Sequence, residues 1–261
     1  MNGTGKRATA YDDAFYERYV EGMASSAARV LGVVYSFYQP ASVLDLGCGR
    51  GAWLAAAGAL GATIRYGLDG PWIAPQDLLD PGITFRGVDF AQPLPALSRR
   101  FELAMSVEVA EHVPAQNADG FVDVLCAASD VVLFGAAIPR QGGDLHVNEQ
   151  PQSYWAGKFA VRGYECHDVI RPALWHDEAV RWWYRQNTFL FVREGSAAVD
   201  LRVLRAAVRP LFDVVHPALF EKRAAKAERL DVPDFADCSR VVRRYLRGLG
   251  RRALGSGERR K

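Results

Sequence analysis

The stretch Val43-Leu44-Asp45-Leu46-Gly47-Cys48-Gly49-Arg50-Gly51-Ala52-Trp53 constrains this chain more than any other. Residues 41–46 are a short apolar run that reads as a buried strand, and residues 52–60 are an apolar stretch that reads as a helix. Three glycines at alternate positions join them. Strand, glycine turn and helix together bring backbone N–H groups and a helix N-terminus against a polar or anionic ligand group. Side chains in the turn would block that approach, and the turn needs backbone that glycine adopts most easily. Gly47, Gly49 and Ala52 also satisfy a relaxed dinucleotide fingerprint, so the glycines by themselves leave the ligand open.

Asp45, two residues before Gly47, and Gly51, the third alternate glycine, narrow the choice. The resulting Asp-x-Gly-x-Gly-x-Gly resembles motif I of the class I S-adenosylmethionine (SAM) dependent methyltransferases, and the resemblance extends over residues 34–192. It implies a Rossmann-like α/β fold: a mostly parallel seven-stranded sheet flanked by helices. It also implies that Asp45, Gly47, Cys48, Gly49 and Gly51 hold the methionine half of the cofactor.

The remaining strands follow in order. Residues 63–69 end in Asp69-Gly70, 24 residues beyond Asp45. An acid at the end of the second strand can accept hydrogen bonds from both ribose hydroxyls of an adenosine. Residues 83–88 end in Asp89-Phe90; by the resemblance, Asp89 bonds the exocyclic amine of adenine and Phe90 contacts the ring. Residues 101–107 end at Val107 and run straight into Glu108, both placed beside the cofactor. Residues 131–138 are a fifth strand stopped by Pro139. Strands alternating with helical patterns predict a parallel sheet with crossover helices, and ligands outside its carboxyl ends. Asp45, Asp69, Asp89 and Glu108 all fall at those ends. A helix is expected over residues 153–159, a sixth strand over 164–170, a connecting helix over 175–183 and a last strand, antiparallel in this family's usual sheet, over 187–192.

A SAM methyl is already electrophilic, so the protein must bring a nucleophile into line behind it and, for a hydroxyl acceptor, take up a proton. Two histidines suit that task. His112 closes Glu108-x-x-Glu111-His112 after the fourth strand, and His146, 34 residues later, lies in the loop after the fifth. The Glu-x-x-Glu-His run has two readings. It can be a capped helix start with His112 as base. It can also supply ligands to a divalent cation, magnesium or manganese, as a similar run does in small-RNA 3′-end methyltransferases; Glu108, Glu111 and His112 would share one helix face and His146 would complete the set. The run His146-Val147-Asn148-Glu149-Gln150, followed by Tyr154-Trp155, resembles tailoring methyltransferases of sugars, glycans and secondary metabolites. Amide and carboxylate groups such as Glu149 beside aromatic rings suit a polyhydroxylated acceptor. The expected catalytic residues are therefore His146, His112 and Glu149.

Helices are expected over residues 11–20 and 23–38, the second ended by Pro40. The domains expected are an N-terminal helical cap (1–38), the SAM-binding core (39–195) and a basic, partly disordered helical tail (196–261). From Leu201 on, 16 Lys and Arg stand against 7 Asp and Glu, a charge of +9, while the preceding residues carry 16 against 23, a charge of −7. Such a tail suits nucleic acid or a membrane surface, or is a solvated helix. Four scattered cysteines without a C-x-x-C indicate neither a disulfide framework nor a zinc knuckle. No apolar run is long enough to span a bilayer, and a cytoplasmic protein is expected. Methyl transfer to an oxygen of a small molecule, sugar or glycan is the reading these features favour. A metal-dependent RNA-terminal methyltransferase using the tail, and a SAM-binding protein without catalysis, are the alternatives.

Overall fold

The structure is a computed structural model that describes residues 13–90, 92, 94–200, 204 and 210–231. Residues 1–214 form one compact unit and residues 215–261 another.

In the first unit, seven strands form one sheet: β1 (Ser42–Leu46), β2 (Ile64–Asp69), β3 (Ile83–Gly87), β4 (Leu103–Val107), β5 (Val131–Gly135), β6 (Tyr164–His167) and β7 (Phe189–Arg193). Their order across the sheet is β3-β2-β1-β4-β5-β7-β6. β7 runs antiparallel to both its neighbours, and the other adjacent pairs are parallel. The order reverses between β1 and β4, and in an open α/β sheet the crevice at such a switch is where ligands bind. β1, β4 and β5 are buried along their whole length, as central strands covered on both faces must be, which explains their unbroken apolar runs.

Among the described residues of this unit, the elements after α1 (Asp13–Tyr35) include α2 (Ala52–Ala59), α3 (Ala118–Ala128), α4 (Gln152–Ala160), α5 (Ile170–Leu174) and α6 (Trp182–Asn187). α1, α2, α5 and α6 cover one face around Leu31, Val34, Trp53, Leu54 and Ile170. α3 and α4 cover the other around Phe121, Leu125, Trp155 and Phe159. Phe134 of β5 lies 5.2 Å from both Trp155 and Phe159, and Phe159 stacks on Phe191 at 4.1 Å. Offset and edge contacts of this kind add about 0.5–1.5 kcal/mol each beyond area burial.

Several expectations need correction. The two N-terminal helices are one, α1, which stops at Tyr35, well before Pro40. The helix runs unbroken through Gly22, beside the Arg181 guanidinium. Two crossover helices are missing. Among the described residues, β2–β3 carries only a single turn at Pro75–Asp77, and β3–β4 carries no helix. Pro71, Pro75 and Pro81 in the first connection and Pro93 and Pro95 in the second remove helix donors and clash with preceding carbonyls. The connecting helix expected over 175–183 does not form: residues 175–181 are turns between α5 and α6, and only Trp182 and Trp183 of the expected span are helical. The expected sixth strand gives way to α5 after His167, and the fifth stops at Gly135, before Pro139.

In the second unit the described element is α7 (Pro217–Asp231). The arginine-rich segment beyond it, and most of the helix expected over 199–211, lie outside the described residues. Cys48, Cys126 and Cys166 are free thiols. Among the described residues, no helix is long and apolar enough to cross a membrane.

Candidate active site

The turn after β1 is built from three left-handed glycines: Gly47 (φ 94°), Gly49 (φ 53°) and Gly51 (φ 84°). Two are glycine because the fold packs against them. A Cβ on Gly47 would lie 2.3 Å from Val109, and one on Gly51 would lie 2.5 Å from Ile83. Gly49 is different: a Cβ there would meet nothing within 4 Å. Its bare face is toward open space, where a ligand can approach the backbone.

Asp69, at the end of β2, ties this turn down. Its carboxylate accepts hydrogen bonds from the Gly49 and Gly70 amides, each at 2.6 Å. Asp45 is buried at the end of β1, its Oδ2 meets no hydrogen-bond donor, and burial followed by repulsion from Asp69 pushes its carboxyl well above the usual carboxylate range. An orphaned buried carboxylate behind an open glycine face fits a ligand with a cationic group, as the methionine half of SAM has. The expected cofactor residues divide here. Cys48 turns its Sγ under the sheet against Gly67, and Phe90 sets its ring edge-on to Phe121 of α3 at 5.7 Å. Val107 is buried in β4 and Asp89 is exposed beyond β3.

Glu108, directly after β4, has left-handed backbone (φ 58°), rare for a residue other than glycine. Its carboxylate accepts 2.7 Å hydrogen bonds from Asn187 Nδ2 and Gln141 Nε2. Burial raises its pKa to about 7 against the pull of those two amides. Glu111 and His112 follow in a single tight turn at Ala110–His112, not in an α-helix. The helix face expected to carry Glu108, Glu111 and His112 together therefore does not exist, and Glu108 points to Asn187 and Gln141.

The loop after β5 is held in a fixed shape. Arg140 and Leu145 are left-handed (φ 68° and 63°). Glu149 accepts the amides of Arg140 and Gly142, each at 2.7 Å, and Nδ1 of His146 at 2.9 Å. Burial alone would raise its carboxyl, but these bonds outweigh it and hold the pKa below the usual value. The amides of Val147 and Asn148 reach the Glu111 carbonyl at 2.9 Å, which joins this loop to the turn after β4.

That junction brings together residues far apart in sequence. The His112 and His146 rings meet edge-on at 4.8 Å. His112 donates Nδ1–H to the Leu145 carbonyl at 3.3 Å, and burial, then the neighbouring His146, lowers its pKa. His146 Nε2 lies 3.9 Å from Glu111 Oε1. Glu111 is 1% exposed, its Oε2 has no hydrogen-bond partner, and burial and then Glu108 drive its pKa well up. One potential ligand atom from each of Glu111, His112 and His146 lies within 4.8 Å of the others.

Two corrections concern the acceptor side. Trp155 is core, packed on Phe134, and does not line the site; an amphipathic helix sends its largest ring inward. Tyr154 sits with Lys158 Nζ 4.7 Å over its ring. The residues that sequence reasoning missed are Gln141 and Asn187, which hold Glu108. Asn187 ends the aromatic helix α6 and reads as the start of a strand, so only its place at the end of α6, facing Glu108, shows the role.

No protein-family model matches the chain, and no curated protein matches it. Solved structures do. An O-methyltransferase family protein from Burkholderia thailandensis aligns over 71% of this chain and 60% of its own, at 17% identity and a TM-score of 0.53. The sugar N-methyltransferase KedS8 from Streptoalloteichus sp. aligns over 74% of this chain and 99% of its own, at 15% identity and a TM-score of 0.52. This chain thus spans about 60% of the Burkholderia protein's length and nearly all of KedS8's. At the topological switch point of the sheet lies a glycine turn, and over about three quarters of its length the chain shares the fold of these two methyltransferase structures.

Proposed function

We propose that this protein is a SAM-dependent methyltransferase acting on a hydroxyl oxygen of a small molecule, sugar or glycan. The observation that carries the reading is the open backbone face of Gly49, fixed by Asp69 between the orphaned carboxylate of Asp45 and the end of β4. Bound there, SAM supplies a methyl group on a positively charged sulfur. Gly49, on a turn that Gly47 and Gly51 close against the fold, gives the methionine half a close backbone approach, and Asp69 and Gly70 bound the ribose. Asp89 stands where the adenine amine is expected.

His146 takes up the acceptor proton. Its Nδ1 is committed to Glu149, which fixes the tautomer and leaves Nε2 as the base. His112, kept neutral at physiological pH by its lowered pKa, assists on the same rim. Leu145 and Val147, exposed on the strap beside them, meet the apolar part of the acceptor.

Glu111, His112 and His146 also fit a divalent cation. Both histidines have Nδ1 committed, to Glu149 and to the Leu145 carbonyl, the outer hydrogen bond that metal-bound imidazoles usually make, and Glu111 keeps a buried oxygen without a donor. A cation held there would lower the pKa of an acceptor hydroxyl and orient it.

The test is methyl transfer from labelled SAM to a panel of hydroxylated acceptors, with EDTA and with magnesium or manganese added. Labelled product that disappears in His146→Ala supports the reading. Failure of the folded protein to bind either SAM or S-adenosylhomocysteine (SAH) would end it. A metal requirement lost in Glu111→Gln would assign the cation.

A further inference from the structure

Five carboxylates gather at the ligand end of the sheet: Asp45, Asp69, Glu108, Glu111 and Glu149. Four have a role above. Asp69 holds the glycine turn, Glu149 holds the strap and His146, Glu111 lies beside His146, and Asp45 is sealed behind the turn. Glu108 remains, and it is built differently from the rest.

Its backbone is left-handed, a conformation that costs an L-residue roughly 1–2 kcal/mol and that the fold imposes by binding the Glu108 amide to the Gly135 carbonyl at 2.8 Å. Each carboxylate oxygen accepts one neutral amide, Asn187 on Oε1 and Gln141 on Oε2. The clamp is itself braced: Gln141 Oε1 accepts from Asn187 Nδ2 at 2.9 Å and from Gln186 Nε2 at 3.2 Å. Among the described residues, no lysine, arginine or histidine pairs with Glu108. The clamp thus fixes a carboxylate in place without neutralising it. Two amide donors need two acceptor oxygens, and glutamine would offer one oxygen and turn its own NH2 against the second donor, so the clamp is built for a carboxylate.

The position is informative too. Glu108 ends β4 at the switch point, and the next residue, Val109, packs directly on Gly47 of the glycine turn. Glu108 therefore borders the place where the methionine half of a cofactor would sit.

We propose that Glu108, gripped by Asn187 and Gln141, is the counter-charge by which this site distinguishes its cationic cofactor from the neutral product. The inference rests on the SAM reading. SAM carries a sulfonium; once the methyl leaves, SAH carries an uncharged sulfide. A fixed negative group beside that sulfur favours the former and lets go of the latter, which aids product exchange. Glu108 is a specificity-determining residue in this account, with Asn187 and Gln141 positioning it.

The experiment is calorimetric titration of the full chain with SAM and with SAH at pH 8, in the wild type, Glu108→Gln and Asn187→Ala. The wild type should bind SAM more tightly than SAH. Glu108→Gln should lower that preference by roughly tenfold through loss of SAM affinity, with SAH affinity changed less than about twofold. Asn187→Ala should lower it less, because the charge survives while its aim is lost. Equal weakening of both ligands in the variants would make Glu108 merely structural, and an unchanged preference would overturn the proposal; either leaves the SAM reading standing. Absence of both SAM and SAH binding to the folded wild type would overturn that reading itself. Should Glu108→Gln fail to fold, the preference in Asn187→Ala decides alone.

Discussion

The two rims of the site are made of different materials. The rim after β1 and β2 is mostly backbone: three left-handed glycines and two amides tied to Asp69. The rim after β4 and β5 is mostly side chain: Glu108, Glu111, His112, His146 and Glu149, on turns in which Glu108, Arg140 and Leu145 take left-handed backbone beside Gly142. A backbone rim recognises a ligand by letting it come close and resists change because an added Cβ meets the fold at Gly47 and Gly51 and the ligand's place at Gly49. A side-chain rim can be retuned one residue at a time, at the expense of local strain and buried charge. The first suits a part held in common by many enzymes of one fold, the second an acceptor that differs among them.

That contrast can be broken experimentally. The largest effect is expected for His146→Ala, which should lower methyl-transfer turnover by about 10²–10⁴-fold while SAH affinity stays within about threefold, as general-base loss requires. A parallel collapse of SAH binding, measured calorimetrically, would mean that the rims are not separable. Asp69→Ala tests the other side. Losing the two bonds that shape the turn, each worth about 1.5–3 kcal/mol, should lower stability and, with the ribose carboxylate gone as well, raise the SAH dissociation constant on the order of a hundredfold.

A smaller effect sharpens the electrostatic half of the contrast. The Glu108 carboxyl has its pKa raised from 4.5 to about 7, so the folded protein takes up a proton that the unfolded chain does not hold between those values. A raised carboxylate pKa stabilises the fold only under acid conditions. That contribution is lost as pH rises through the window, and Glu108→Gln removes the dependence. Urea unfolding should therefore show Glu108→Gln gaining on the wild type by about 1–3 kcal/mol between pH 4.5 and 7.5. A gap that does not change with pH would refute the burial argument. The smallest effect is expected for Leu145→Gly. Relief of left-handed strain (φ 63°) against the added chain entropy of glycine should leave stability within about 1 kcal/mol, where the same change in a regular helix would be harmful.

The same division explains what could be read from the sequence. Glycine at alternate positions after an apolar strand is a local signal, and it located the backbone rim together with Asp45 and Asp69. The sheet was legible because β1, β4 and β5 are buried on both faces and so read as unbroken apolar runs. The helices were less so: prolines in the β2–β3 and β3–β4 connections forbid the expected crossovers, and the apolar pattern divided one helix, α1, into two. On the side-chain rim, local pattern suggested a helix carrying Glu108, Glu111 and His112, whereas the chain makes one tight turn and sends Glu108 elsewhere. Its partners Gln141 and Asn187 lie 33 and 79 residues away, and no spacing rule reaches so far. Trp155 misled for the opposite reason: an aromatic beside polar residues looks like a binding surface until the sheet covers it.

The most direct test of the central claim is SAH titration of Gly49→Ala beside the wild type. The added methyl meets no protein atom within 4 Å, so the only stability expense is the left-handed backbone, about 1–2 kcal/mol. The account predicts a folded protein whose SAH affinity falls by more than about tenfold, because the methyl fills the face that the ligand needs. Wild-type SAH affinity in folded Gly49→Ala would contradict it.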